Sequence, residues 1–194
     1  MTSGWGYVGG IVFGVLVLLD AVRQRPGART VIIRLIAVAH VAIVVELALF
    51  PLPVDPALIT VLRHERAGAM SSVNLVPWAT IGPSLYRLFA LRLDTSEVRN
   101  LVGNFVMLMP LAWYGPILWP RLRNLLVFVA VALAFSVTIE LLQLAITVGL
   151  GYAHATDVDD VIVNTAGGIV AFVALWPLRR VSAVQSPEMR SRPV

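Results

Sequence analysis

Glu140, Gln143, Asp157, Asp159, Asp160 and Asn164 all fall within the stretch Ser136–Gly168, most of which is apolar. Carboxylates so close in sequence could act as general acids and bases, or as oxygen ligands for a hard divalent cation. The amides add hydrogen-bond donors and acceptors. A charged group in hydrocarbon costs about 2.5–3.5 kcal/mol on insertion scales, so a chain keeps one there only with a partner and usually with a job. The plainer reading is that Glu140, Gln143, Asp160 and Asn164 bond one another and fix helix register. Interhelical polar contacts average only about 0.6 kcal/mol, which falls short of that insertion cost. A protonated or a functional Glu140 is therefore favoured.

The composition shows what must position these groups. The chain has 194 residues, 58% hydrophobic and 13% charged, with a mean hydropathy of +0.84. Soluble domains carry about 25% charged residues, so a polytopic membrane protein is expected. The length suits about five helices of roughly 20 residues in one all-α transmembrane bundle. Cysteine is absent, which excludes disulfide and thiolate chemistry. The formal net charge is +4, with every basic residue an arginine. These arginines flank apolar segments, so they speak for membrane topology and not for nucleic acid.

The first apolar run, Val8–Val22, follows an N-terminus without the basic residues of a signal peptide and precedes Arg23, Arg25 and Arg29. The second, Leu35–Leu52, holds His40 and Glu46 and is stopped by Pro51 and Pro53. Six residues apart, His40 and Glu46 lie on different helix faces, so each is expected to bond a neighbouring helix. A long mixed-charge connection follows. Within it Trp78, Ile81, Leu85, Leu88 and Phe89 recur at helical spacing, predicting an interfacial or re-entrant helix between the second and third spans. The third span, Leu101–Trp119, has Thr95 or Ser96 as a cap and Asn100 and Asn104 on one face. Pro110 should kink it, and Trp113, Tyr114 and Trp119 suit an interfacial belt. The fourth, Leu125–Leu150, carries a polar stripe of Ser136, Glu140, Gln143 and Thr147. The fifth, Val161–Leu178, opens behind Asp157 and Asp160 in capping positions, and Gly167 and Gly168 permit close helix approach.

Arginine placement orients the whole. With the N-terminus outside, Arg23, Arg25, Arg29, Arg34, Arg121, Arg123, Arg179, Arg180, Arg190 and Arg192 face the cytoplasm, which the positive-inside rule favours. Glu140 then stands about 22 Å along the fourth helix from its cytoplasmic end, in the outer half of a roughly 30 Å core. The Asp157–Asp160 run, Asn164, Asn100 and Asn104 arrive at that same outer side. Residues 179–194 form a cytoplasmic tail, expected to be disordered.

Four pieces of this chain resemble the VanZ-like family of bacterial membrane proteins: NLVPW (74–78), NLVGN (100–104) with Pro110 after it, ELLQ (140–143) and TDVDDVIVNTAGG (156–168). The resemblance implies one multipass domain over residues 1–178, in the cell membrane, with the motifs spread over 74–170. The founding member of the family is associated with resistance to teicoplanin, a lipid-bearing glycopeptide that acts on cell-wall precursors. The site residues implied are Asn74, Pro77, Asn100, Asn104, Glu140, Gln143, His154, Asp157, Asp160 and Asn164. One position departs: the family usually reads R-A-T-D-V-D-D, whereas His154 stands here in place of that arginine, a titratable cation for a fixed one.

The leading expectation is a non-enzymatic envelope protein whose outer polar pocket binds a lipid-linked cell-wall precursor or a lipoglycopeptide. An alternative is an intramembrane enzyme acting on lipid head groups through Glu140, Asp157, Asp159 and Asp160. No serine–histidine pairing, HExxH helix or P-loop accompanies them, and no cofactor or metal is called for. A small transporter is the third reading. It lacks the second repeat that transporter folds show, which a homo-oligomer would have to supply.

Overall fold

The computed structural model describes residues 27–49, 57, 60–61, 73–93, 95–150 and 156–179. The expected first span, Pro51, Pro53, His154 and the tail beyond Arg179 lie outside them.

Helix α1 runs Ala28–Leu49. It begins seven residues before the expected Leu35 and takes in Arg29, which is exposed, and Arg34, which is half-buried. After the short strand β1 (Val73–Asn74) comes α2, Ile81–Phe89. Its apolar stripe divides: Ile81 is buried, whereas Trp78 before the helix and Phe89 at its end are exposed. The expected third span is two helices, α3 (Ser96–Met107) and α4 (Met109–Leu118), meeting at Leu108. Thr95 caps α3 by accepting from the Val98 amide at 3.4 Å. Pro110 sits in the first turn of α4, where its missing N–H costs least, so the kink falls just ahead of it. A 3-10 turn, Pro120–Arg123, leads to α5, Leu125–Leu150, whose bounds match the apolar run. Strand β2 (Thr156–Asp157) and α6 (Val158–Ala174) complete the order.

Among these, Ala28–Leu49, Ser96–Leu118 and Leu125–Gly149 are long and apolar enough to cross a membrane. Their outer faces are bare hydrocarbon: Leu47 is 72% exposed, Leu126 78% and Val148 75%. A soluble protein would not leave so much apolar surface open. Helix α6 packs against α3, α4 and α5 together, and α1 closes over α4 and α5. Phe128 and Phe172 stack at 4.6 Å in the core with Leu108, and Ile33 and Ala37 reach it from α1. The helical expectation needs one amendment. β1 and β2 pair in parallel, Val73 opposite Thr156 and Asn74 opposite Asp157, a contact too short to leave a periodic signal.

His40 bonds a neighbouring helix as expected. Its Nε2 donates to the Met107 carbonyl at 2.8 Å, beside the α3–α4 break, and its Nδ1 lies 2.9 Å from the Tyr114 hydroxyl. A carbonyl can only accept, so Nε2 carries the proton, and in neutral histidine Nδ1 accepts from Tyr114. Tyr114 is therefore a core residue, 2% exposed, and not part of an aromatic belt; Trp113 and Trp119 do face outward. Glu46 is exposed and bonds no neighbour among the described residues, contrary to expectation. Tyr114→Phe should cost about 1 kcal/mol, and His40→Ala, which orphans two groups, about 2–3 kcal/mol. Thermal unfolding in detergent measures both, with the histidine variant melting lower.

Candidate functional site

Four sequence pieces far apart in the chain meet at one end of the bundle, where α1 and α5 end and α3 and α6 begin. Each acid of the TDVDD stretch has its own partner. Asp157 is the N-cap of α6: its Oδ1 accepts from the Asp159 amide at 2.9 Å and from Asn74 Nδ2 at 3.0 Å. Asn74 Oδ1 in turn accepts from the Val76 amide at 3.0 Å, folding NLVPW back on itself. The Asn104 side chain, on α3, lies beside Asp160 and favours its carboxylate, so α6 and α3 meet there. Glu140, from the ELLQ piece on α5, accepts from the Asp157 backbone N–H at 3.0 Å through Oε2.

Asp159 has the most partners and the least exposure, 1%. Its Oδ1 accepts from the Trp78 amide at 2.6 Å. Its Oδ2 accepts from the Thr80 amide and hydroxyl, both at 2.8 Å, and from the Ile81 amide at 3.1 Å. One carboxylate thus holds the 78–81 turn and the N-terminus of α2, where a negative charge also suits the helix dipole. Trp78 sits at φ 70, a left-handed conformation rare for a bulky side chain, and its bond to Asp159 keeps it there. Asp159 lies ahead of the apolar run 161–178. Burial alone would raise its carboxyl, but the bonds from Thr80, Ile81 and Trp78 prevail and hold it below the usual carboxylate range. Asp159 is absent from the ligand-site residues that the resemblance implies and enters the sequence reading only as one of the carboxylates of the enzyme alternative, where Asp157, Asp159 and Asp160 look equivalent. The sequence signal was its partner: the Trp78–Ile81 turn directly after Pro77, which offers several amides to one acceptor.

The polar stripe of α5 faces inward as expected, with Ser136, Glu140 and Thr147 buried and Gln143 half-buried. Glu140, Gln143, Asp160 and Asn164 do not bond one another in a simple register lock. Asn164 Nδ2 donates to Ser136 Oγ at 3.1 Å, Gln143 Nε2 to the Ala48 carbonyl of α1 at 3.0 Å, and Glu140 and Asp160 go elsewhere. Asn100 is exposed and Pro77 is exposed; neither makes any of these bonds. Asp157 and Asp160 lie close enough to Glu140 to repel its charge. Among the described residues the ion pair is Arg87–Glu97, on α2 and α3, so no arginine there neutralises the acids of this cluster. With Asp159 committed to the loop, Glu140 and Asp160 are the carboxylates left for chemistry or binding. No three His, Asp or Glu side chains among the described residues gather closely enough to hold a metal ion.

Apolar helices of spanning length, bare outer faces and a buried polar knot at one end define a multi-pass membrane protein. The chain belongs to the VanZ/LLP1 family, whose model matches residues 37–180. Neither the curated proteins nor the solved structures compared with it gave a match.

Proposed function

We propose that this protein is a five-span component of the cell membrane, N-terminus outside and C-terminus cytoplasmic, with α2 at the outer interface between the second and third spans. Its outer polar end receives the head of a lipid-linked cell-wall precursor or an amphiphile such as a lipoglycopeptide, and this lowers the effect of teicoplanin-type compounds. One observation carries the reading. Gln143 Oε1, Thr156 Oγ1, Asn164 Oδ1 and Thr165 Oγ1 are all buried and without a hydrogen-bond partner, on the same α5, β2 and α6 segments as Glu140, Asp157 and Asp160, which have no cation among the described residues. Buried polar groups are normally paired, so such a collection is the signature of a site that a ligand or water completes. Carboxylate and amide oxygens accept, so the head that fits presents donors, an ammonium or amide N–H. Teicoplanin and the stem peptide of a wall precursor both offer them.

The full chain in mild detergent, incubated with teicoplanin and measured by native mass spectrometry, tests this. The wild type should retain one teicoplanin per chain, and Glu140→Gln should bind roughly tenfold more weakly through loss of a charge-assisted bond. Equal binding by the two, or none by the wild type, removes the support for a site at Glu140. The orientation is checked separately, on a chain that lacks native cysteine. An Ala79→Cys variant should react with an impermeant thiol reagent in whole cells and Arg121→Cys should not, both positions being exposed. Reaction at Arg121→Cys alone would place the polar end in the cytoplasm.

A further inference from the structure

At the opposite end of the bundle a cavity of about 760 Å³ opens among the start of α1, the end of α4, the 3-10 turn and the residues following α6. Three arginines line it, Arg29, Arg123 and Arg179, and no acidic side chain does so among the described residues. Its remaining wall is apolar and aromatic, with Trp113, Ile117 and Trp176. We infer that this cavity binds an anionic phospholipid, the phosphate between the guanidinium groups and an acyl chain along the tryptophan wall.

Arg179 is the anchor. Pro116 has no amide to offer the Ala112 carbonyl one turn back, and Arg179 Nη2 donates to that carbonyl instead. The guanidinium also lies 4.2 Å from the centroid of the Phe172 ring, a cation–π contact. So held, Arg179 leaves Nη1 buried and without a hydrogen-bond partner at the cavity. A guanidinium cannot shed its proton, and a buried donor left unmade is costly, so the arrangement calls for an acceptor from outside. Arg123 is fixed in the same way: its Nε donates to the Pro116 carbonyl at 3.2 Å, and the rest of its fork stays available for a phosphate. The volume is in the range of small-molecule sites, and tryptophans beside arginines at helix ends suit the level of lipid head groups. A free anion would satisfy the arginines but would leave the tryptophan wall unused, which favours the lipid.

The test uses the full chain in dodecyl maltoside, titrated with phosphatidylglycerol or phosphatidylcholine of identical acyl chains and read by native mass spectrometry. One phosphatidylglycerol should be retained per chain, with phosphatidylcholine held roughly tenfold more weakly, and Arg29→Gln/Arg123→Gln should weaken phosphatidylglycerol about tenfold and so narrow the difference between the two lipids. Arg29→Gln alone, at an exposed position with no bond among the described residues, should weaken it several-fold, so the proposal does not depend on the double variant folding. Inorganic phosphate at millimolar concentration should not displace the lipid. Equal retention of the two lipids, phosphatidylglycerol binding unchanged in Arg29→Gln, or displacement by inorganic phosphate would each overturn the assignment, the last by showing a free-anion site.

Discussion

Gly167→Ala should abolish the folded protein, not merely weaken it. A Cβ at this position would lie 1.7 Å from the Phe105 carbonyl oxygen and 2.7 Å from its carbon, both backbone atoms of α3. No side-chain rotation relieves such a clash; α3 must move away from α6. That movement would draw Asn104 away from Asp160 and open the core at Leu108. Overpacking typically costs about 1–3 kcal/mol even where side chains can adjust, and rigid backbone puts this case at the upper end or beyond. The neighbouring glycine supplies the control. A Cβ on Gly168 would meet Leu108 Cβ at 3.5 Å and the Phe128 ring at 3.6 Å, ordinary contact distances, so Gly168→Ala should be mild. Size-exclusion profiles of detergent extracts distinguish them: Gly167→Ala should be aggregated or absent and Gly168→Ala monodisperse. A monodisperse Gly167→Ala with an unchanged melting temperature would show that the two helices are not this close.

Asp159→Ala should release the 75–81 loop and unseat α2. It removes the acceptor for the Trp78, Thr80 and Ile81 amides and the Thr80 hydroxyl together. It also frees Trp78 from a backbone conformation that costs it energy. The loss should be about 3 kcal/mol, concentrated in the loop. Asp159→Asn keeps the shape, but its NH₂ must face donors, so it should rescue only part. Limited proteolysis should show new cleavage near Trp78 in both variants, with α5 still protected. The depressed carboxyl gives the pH dependence its sign. Its contribution is present above the ordinary carboxylate range and is lost as pH falls through the folded value, below that range. The wild-type loop should therefore resist proteolysis until the medium is strongly acidic. Wild-type resistance in Asp159→Ala would mean that the loop is held by something else.

What could be read from the sequence followed hydrophobic length and helical period. The bounds of α5 and the inward face of Ser136, Glu140 and Thr147 depend on nothing beyond their own segment. The Thr95 cap was similarly local, but the two glycines looked alike in sequence, and only the Phe105 backbone on α3 makes Gly167 the demanding one. Contacts set by other parts of the chain could not be read. Nothing near His40 in sequence points to Met107 or Tyr114, and nothing in Thr-Asp-Val-Asp-Asp ranks Asp159 above Asp157. Tyr114 looked like a belt residue because its neighbours Trp113 and Trp119 are; burial of its hydroxyl depended on a histidine from α1. Arg179, read as the head of a loose tail, belongs to the bundle because Pro116 leaves a carbonyl that it can reach. In each case one long-range hydrogen bond decided a role that local pattern left open.

If the Glu140 cluster serves a ligand and not only the fold, its carboxylate must matter to cells exposed to that ligand. The most direct measurement is the minimum inhibitory concentration of teicoplanin for a susceptible bacterium carrying the wild type or Glu140→Gln at equal membrane levels. Glutamine keeps the size of the side chain and can still accept from the Asp157 amide, so the variant should insert and fold normally. The wild type should raise the inhibitory concentration, and Glu140→Gln should return it to that of cells without the protein. Protection by Glu140→Gln equal to the wild type would contradict a ligand role and leave the carboxylate a structural part of the bundle.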